Sequence, residues 1–226
     1  MRKIVPVLAF TVLCFLLVLE TGATDKIIYK SVSASDKVVA LSFDDGPHKT
    51  QTDAVLDVLK KHNIKATFFV IGKNARENPE VLRRIADEGH EIGNHTYSHS
   101  LKKKVSEKVI EEEITKNEET ILELCELQTR LLRPPGGRVD SNLLKIAERL
   151  DYKIILWDVD TRDWAHTPTD RIVDNVLKNT QNGSIILFHD YVFGNSDTAI
   201  ALDTVITELT KKGFNFVTVG ELIGTD

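Results

Sequence analysis

The chain has 226 residues and a formal net charge of −5, and 42% of its residues are hydrophobic. A chain of this length and composition can bury a substantial core, which excludes an intrinsically disordered protein and favours one globular domain. The negative charge, with no basic stripe along the sequence, argues against nucleic acid as a partner.

The first predicted element is an export signal at residues 1–23. The positively charged start "MRK" precedes the apolar run "IVPVLAFTVLCFLLVL", whose length suits a signal peptide better than a membrane span. The small residues "TGA" then offer a cleavage site after Ala23. We therefore expect an exported protein, either secreted or associated with the cell wall or membrane, with an uncleaved N-terminal anchor as the alternative. Residues 24–226 would form the folded domain.

After this segment, seven strand-like runs alternate with segments of helical spacing. The predicted strands are apolar and rich in β-branched or aromatic residues, and in chain order they are "KVVALSFDD", "KATFFVIG", "HEIGNH", "TRLLRPP", "YKIILWDVD", "GSIILFHD" and "FNFVTV". Apolar strands that alternate with helices indicate a parallel sheet covered by helices. We therefore predict an α/β fold, a distorted (β/α) barrel with about seven parallel strands.

Ionisable residues interrupt five of these strands at their carboxyl ends. They are Asp44 and Asp45, His95, Arg133, Asp158 and Asp160, and His189. In a (β/α) barrel the carboxyl ends of the strands meet at one rim, which is where active sites lie. We therefore expect several of these side chains to form one functional site.

The segment "HTYSH" at 95–99 and the aspartate pair together predict a metal site. A helical turn would place His95 and His99 on one face, close enough to bind one cation. Two histidines and a carboxylate are a common ligand set for first-row metals, and this set leaves positions open for water and substrate. We expect one divalent ion, with zinc preferred and manganese, cobalt, nickel or iron as alternatives.

Five motifs in this order resemble those of the polysaccharide deacetylases, the carbohydrate esterase group that shares the NodB-homology domain. They are "SFDDG" at 42–46, "HTYSH" at 95–99, "RPPGG" at 133–137, "DTRDW" at 160–164 and "LFH" at 187–189. The likeness runs from about Val38 to Val219. It implies the deacetylase barrel fold, a divalent metal ion and a glycan substrate.

The resemblance implies a role for each matched residue on the metal side of the site. Asp44 is implied to be the general base that activates the attacking water. Asp45, His95 and His99 are implied to be the metal ligands. Arg133 is implied to orient Asp44, which is chemically reasonable because a guanidinium binds a carboxylate strongly.

On the acid side, the resemblance implies that His189 protonates the departing amine. An aspartate of "DTRDW" would hold it, with Asp163 preferred and Asp160 as the alternative. A histidine tethered to a carboxylate suits this role because the carboxylate stabilises the imidazolium.

Three further residues are implied to contact the substrate. Trp164 and Leu187 would line the pocket around the acetyl methyl group. Gly136 would donate its backbone N–H to the oxyanion, a position where many family members have tyrosine. The N–H survives this difference, but an aromatic wall of the groove is lost, and Gly137 adds further freedom to the loop.

These residues lead us to expect a metal-dependent hydrolase that removes N-acetyl groups from polysaccharide containing N-acetylglucosamine. Cell-wall peptidoglycan is the first candidate substrate, and chitin oligomers are the second. The alternatives are an O-acetyl esterase acting on xylan and a catalytically inactive glycan-binding domain. We expect no obligate protein partner, and nothing in the sequence requires more than a monomer.

Overall fold

The structure, a computed structural model, describes residues 27–100 and 105–225. Its described part is an α/β fold built on one nine-stranded sheet. The strands are β1 (Ile28–Tyr29), β2 (Val38–Asp44), β3 (Thr67–Val70), β4 (Glu91–Asn94), β5 (Leu131–Leu132), β6 (Lys153–Ile155), β7 (Val159–Asp160), β8 (Ile185–His189) and β9 (Asn215–Val217). The predicted signal segment 1–23 lies outside the described residues.

Helices cover the sheet, and several begin where a side chain can bind the free N–H groups of the first turn. They are α1 (Gln51–His62), α2 (Gly72–Glu77), α3 (Pro79–Asp87), α4 (Glu107–Cys125), α5 (Ser141–Arg149), α6 (Thr169–Asn179), α7 (Thr198–Lys211) and α8 (Val219–Ile223). Ser106, Asp140 and Thr218 cap α4, α5 and α8 in this way. Across the described ranges, no helix combines the length and apolar character needed to cross a membrane.

The strands pair in parallel in the order β1-β6-β5-β4-β3-β2-β8-β7, and β9 also pairs with β2. Within the described residues, β1 and β7 end this path without pairing with each other. The sheet is therefore a curled barrel that is incompletely closed. This confirms the predicted fold class, a distorted parallel barrel.

Residues 27–100 and 105–225 contain nine strands rather than seven, for two reasons. β1 adds a short strand beside β6, which the sequence pattern does not predict. The predicted fifth strand is divided, because its first half pairs with β5 and its last two residues pair with β8. Residues 156–158 connect β6, which pairs with β1 and β5, to β7, which pairs with β8.

Alternation along β2 sends its side chains to two different environments. Leu41 and Phe43 belong to the same core cluster as apolar residues of α1 and α7. Ala40 belongs instead to the cluster inside the barrel, together with Ile185 of β8. Because side chains two apart share a face of a strand, Asp44 continues the inner face and reaches the rim.

Candidate active site

The strand pairing brings the predicted polar residues to one rim. Asp44 is paired with His189 across β2 and β8. His95 and Arg133 each follow directly after the paired ends of β4 and β5. Asp158 does not join them, because its carboxylate accepts hydrogen bonds from the Ser184 hydroxyl and from a backbone N–H of β8.

Asp44 and Arg133 form a buried ion pair. Arg133 Nη1 donates to Asp44 Oδ1 at 2.7 Å, and the arginine side chain is fully buried. Arg133 Nε and Nη2 donate to the carbonyl oxygens of Ile155 and Leu156 at 3.2 and 3.1 Å. The guanidinium therefore holds one oxygen of Asp44, while Asp44 Oδ2 lies 3.7 Å from His95 Nε2. One carboxylate oxygen is held and the other faces the cluster described next.

Asp45, His95 and His99 form a compact cluster whose potential ligand atoms all lie within 4.8 Å of one another. Asp45 Oδ1 is 3.4 Å from His95 Nε2 and 3.3 Å from His99 Nε2. This oxygen is buried, and none of the described residues forms a hydrogen bond with it. A buried, unpaired carboxylate oxygen is unfavourable, and a cation between it and the two ring nitrogens would satisfy it. The donor set therefore fits a divalent metal ion.

A hydrogen bond fixes which nitrogen of His95 faces this cluster. His95 Nδ1 lies 2.6 Å from the backbone carbonyl oxygen of Arg133. Because a carbonyl can only accept, Nδ1 carries the proton, and the Nε2 lone pair of the neutral ring points toward Asp45. Arg133 thus orients Asp44 with its side chain and His95 with its backbone.

The segment from His95 to His99 is not the helical turn that the i, i+4 spacing predicts. Thr96 and His99 both have left-handed backbone conformations, with φ of 67° and 57°. Thr96 N donates to Asn94 Oδ1 at 2.8 Å, and His99 N donates to Thr96 Oγ1 at 3.2 Å. The two rings do approach, with centroids 5.0 Å apart. Side-chain hydrogen bonds to the loop backbone, rather than helical periodicity, produce this arrangement.

The cluster also shifts the pKa values of its members. Burial raises the pKa of Asp45, but His95, His99 and His189 more than offset burial and lower it. Burial, with the charge of His95, lowers the pKa of His99. Burial lowers the pKa of His95, but Asp44 and Asp45 outweigh it and raise this pKa. Metal ligands must be deprotonated, so the lowered pKa values of Asp45 and His99 favour ion binding, whereas the raised pKa of His95 opposes it.

The two adjacent aspartates face different partners because the chain turns between them. β2 ends at Asp44, and Asp45 has a left-handed backbone conformation with φ of 77°. Asn74 Nδ2 donates to the Asp45 carbonyl oxygen at 2.7 Å and holds this turn. The repulsion of two neighbouring carboxylates is relieved, since Asp44 pairs with a guanidinium and Asp45 points to the histidines.

Asp190 supports the same turn, and the sequence analysis does not identify it. It is buried, with Oδ1 accepting from Gly46 N at 3.0 Å and Oδ2 accepting from the Thr52 hydroxyl at 2.6 Å. Burial raises the pKa of Asp190 to about 7. A Cβ on Gly46 would lie 1.9 Å from Asp190 Oδ2, so this position requires glycine. The only sequence signal for this role is that Asp190 follows directly after His189.

His189 and Asp163 form the second functional pair. His189 Nδ1 donates to Asp163 Oδ1 at 2.8 Å, and His189 N donates to Asp163 Oδ2 at 2.8 Å. The same carboxylate accepts from Trp164 N at 2.9 Å and from the Thr198 hydroxyl at 2.8 Å. Asp163 is thus held by four hydrogen bonds, and it contacts His189 through both the backbone N–H and Nδ1.

Asp160, the alternative partner for His189, does not contact it. Asp160 Oδ1 accepts from Arg162 N at 2.8 Å, and the Asp160 carbonyl oxygen accepts from Asn175 Nδ2 at 2.6 Å. Asp160 therefore shapes the turn that carries Asp163 to the site. The structure favours Asp163 over Asp160 as the tether.

The predicted substrate-contacting residues differ in exposure. Leu187 is buried on β8, two residues before His189 and on the same face of the strand. Trp164 is 48% exposed, and it borders a groove of about 330 Å³ together with Asp45 and His99. Gly136 is exposed with φ of +63°, and among the described residues no atom beyond Gly136 and its two chain neighbours lies within 4 Å of the place where a Cβ would stand. The volume that a larger side chain would occupy is therefore open.

The fold and the site together define a class of protein, a (β/α) barrel with a candidate metal centre at the carboxyl ends of its strands. A family model described as polysaccharide deacetylase matches residues 31–155. The chain belongs to the polysaccharide deacetylase family.

Several relatives resemble the chain over most of its length. A peptidoglycan-N-acetylglucosamine deacetylase of Bacillus cereus is 45% identical over 188 residues, which is 83% of this chain and 68% of that protein. The crystal structure of the Bc1960 peptidoglycan N-acetylglucosamine deacetylase matches with a TM-score of 0.86 and 42% identity, covering 89% of this chain and 94% of that chain. BA3943, described as a CE4 family pseudoenzyme from Bacillus anthracis, matches with a TM-score of 0.81 and 31% identity, covering 88% and 69%.

Proposed function

We propose that the protein is a metal-dependent hydrolase that removes N-acetyl groups from N-acetylglucosamine units of cell-wall peptidoglycan. The observation that carries this proposal is the arrangement at the rim. The Asp45, His95 and His99 cluster lies beside Asp44, held by an arginine, and near His189, held by an aspartate. The relatives named as peptidoglycan N-acetylglucosamine deacetylases support the choice of substrate.

Each part of the site has a task in this hydrolysis. A divalent ion on the cluster, with zinc proposed, would make a water more acidic and polarise the amide carbonyl. Asp44 Oδ2 would accept the proton of the attacking water while Arg133 holds Oδ1. The hydroxide adds to the acetyl carbon and the C–N bond breaks. His189 Nε2 would donate the proton that the departing amine needs, and the products are acetate and the free amine.

Further residues would complete the binding of the acetyl group. The backbone N–H of Gly136 would donate to the oxyanion, and Leu187 and Trp164 would enclose the methyl group. All of these side chains come from one chain, so we propose that a monomer is active. We also propose that it acts outside the cytoplasm, because residues 1–23 have the pattern of an export signal.

Acetate release from three substrates tests the proposal. The metal-loaded protein should release acetate from purified peptidoglycan and from N-acetylglucosamine oligomers, and much less from acetylated xylan. Preference for xylan would favour an O-acetyl esterase. Glycan binding with no acetate release would favour the inactive glycan-binding domain, an alternative made relevant by the similarity to a pseudoenzyme.

We expect the alkaline limb of the pH–rate profile to depend on Asp163. Burial lowers the pKa of His189, but the hydrogen bond and charge of Asp163, with the charges of Asp44 and Asp45, raise it to about 9. Activity should fall as pH rises through this pKa, because only protonated His189 can donate. A cation on Asp45 would oppose that aspartate's contribution and move the limb to lower pH. Asp163→Asn should move the alkaline limb to lower pH. The measurement is kcat/KM for acetate release as a function of pH.

Asp160→Asn is a matched control for this experiment, since it makes the same change three residues away without touching His189. Its alkaline limb should coincide with that of the wild type. An Asp163→Asn protein that is folded and keeps the wild-type limb would contradict the assignment of His189 as the acid.

A further inference from the structure

Phe193 is an exposed aromatic residue at the edge of the active-site groove. It lies in the loop between β8 and α7, and at 88% exposure it is the most exposed large apolar side chain of the described residues. Together with Trp164 and Tyr191 it lines the groove that contains Asp45 and His99. An apolar ring therefore projects into water beside the candidate metal cluster.

The backbone around Phe193 is held firmly, although its side chain is free. Gln51 Nε2 donates to the carbonyl oxygens of Val192 and Gly194 at 2.9 and 3.1 Å, and Val192 N donates to Gln51 Oε1 at 2.9 Å. One side chain at the start of α1 thus binds the residues on both sides of Phe193. The exposure of the ring is a feature of a fixed loop conformation.

The rest of the loop is anchored as well. The Tyr191 ring stacks on the His48 ring, with centroids 4.7 Å apart. Val192 is buried, and the Asn195 carbonyl oxygen accepts a hydrogen bond from His166 Nδ1 at 3.1 Å. A rigid aromatic surface next to a polar site is suited to binding, because little conformational freedom is lost when a ligand covers it.

We propose that Phe193 is a stacking platform for a second sugar ring, adjacent to the ring that is deacetylated. This inference rests on the proposed function, in which the site binds an N-acetylglucosamine-containing glycan. The C–H face of a pyranose is apolar and packs against aromatic rings, as other apolar groups do. The groove of about 330 Å³ contains Asp45 and His99, where the sugar that is deacetylated would bind. Phe193, at its exposed edge, would receive the next sugar and would make the site select for chains over single sugars.

Binding measurements in an inactive background test this proposal. The probes are N-acetylglucosamine and its tetramer, titrated calorimetrically into zinc-loaded Asp44→Asn protein and the same protein carrying Phe193→Ala. Phe193→Ala should weaken tetramer binding about fivefold to tenfold and change monomer binding by less than about twofold, because only the tetramer reaches the platform. Phe193→Trp should restore the tetramer affinity.

Two further variants strengthen the test. Ile200→Ala removes another exposed apolar side chain, 63% exposed on α7 and outside the groove, and should leave both affinities unchanged. Gln51→Leu removes the hydrogen bonds that hold the loop and should weaken tetramer binding more than monomer binding.

The outcomes separate this inference from the proposed function. Equal tetramer affinity with and without Phe193, or equal affinity of the parent protein for monomer and tetramer, would overturn the inference. If the wild type releases no acetate but Phe193→Ala still weakens tetramer binding selectively, the stacking role of Phe193 is supported and the proposed hydrolysis is refuted.

Discussion

Asp44→Asn should reduce acetate release from peptidoglycan by about a thousandfold, in the range expected for loss of a general base. Asparagine has nearly the same shape, and its carbonyl oxygen can still accept the Arg133 hydrogen bond that now spans 2.7 Å. It cannot accept the proton of a water molecule. The variant should therefore fold and bind metal, and only the turnover number should collapse. Acetate release measures the turnover, and metal content of the same preparation measures whether the variant still binds the ion.

The neighbouring aspartate provides the matched control. Asp45→Asn should weaken metal binding, because Asp45 Oδ1 is the carboxylate oxygen that faces both histidines. Added metal should then restore part of its activity, whereas no concentration of metal should rescue Asp44→Asn. Rescue of Asp44→Asn by metal, or normal turnover of that variant with metal bound, would show that Asp44 is not the base.

Arg133→Met should destabilise the metal-free protein by about 3–5 kcal/mol, the usual cost of removing one partner of a buried ion pair. The guanidinium has no exposed surface, and it lies 4.1 Å from the centroid of the Phe69 ring inside the barrel. Its loss removes the ion pair with the buried Asp44 carboxylate and the hydrogen bonds to two backbone carbonyl groups. Denaturation by urea in the presence of a chelator measures the change in the free energy of unfolding.

Two companion variants distinguish charge from shape at this position. Arg133→Lys keeps the charge but cannot make the three separate hydrogen bonds of a planar guanidinium, so it should recover only part of the stability. Asp44→Asn in the Arg133→Met background should be more stable than Arg133→Met alone, because no carboxylate then remains unpaired. Wild-type stability of Arg133→Met would refute the structural importance of this pair.

The sequence predicts which polar residues come together at one rim, because they lie at the carboxyl ends of strongly apolar strands. Alternation along "KVVALSFDD" is enough to send Asp44 toward the barrel interior, and parallel pairing is enough to bring it beside His189. The division of "YKIILWDVD" into β6 and β7 is not predictable in this way. Its apolar pattern is continuous, and the break reflects a change of hydrogen-bonding partner in the folded sheet.

Other features depend on tertiary contacts that leave little trace in the sequence. The spacing of His95 and His99 suggests a helical turn. The observed loop is instead stabilised by hydrogen bonds that the Asn94 and Thr96 side chains accept from backbone N–H groups. The choice of Asp163 over Asp160 depends on how a short turn folds. The exposure of Phe193 depends on Gln51, more than a hundred residues away in the chain.

Hydrolysis of the N-acetyl group should require one divalent ion on Asp45, His95 and His99. Acetate release from peptidoglycan, measured as zinc is titrated into chelator-treated protein, tests this requirement. Activity should rise from near zero in proportion to added metal and level off at one ion per chain. Full activity of the metal-free protein, or a zinc-dependent rise in activity that His95→Ala leaves unchanged, would contradict this requirement.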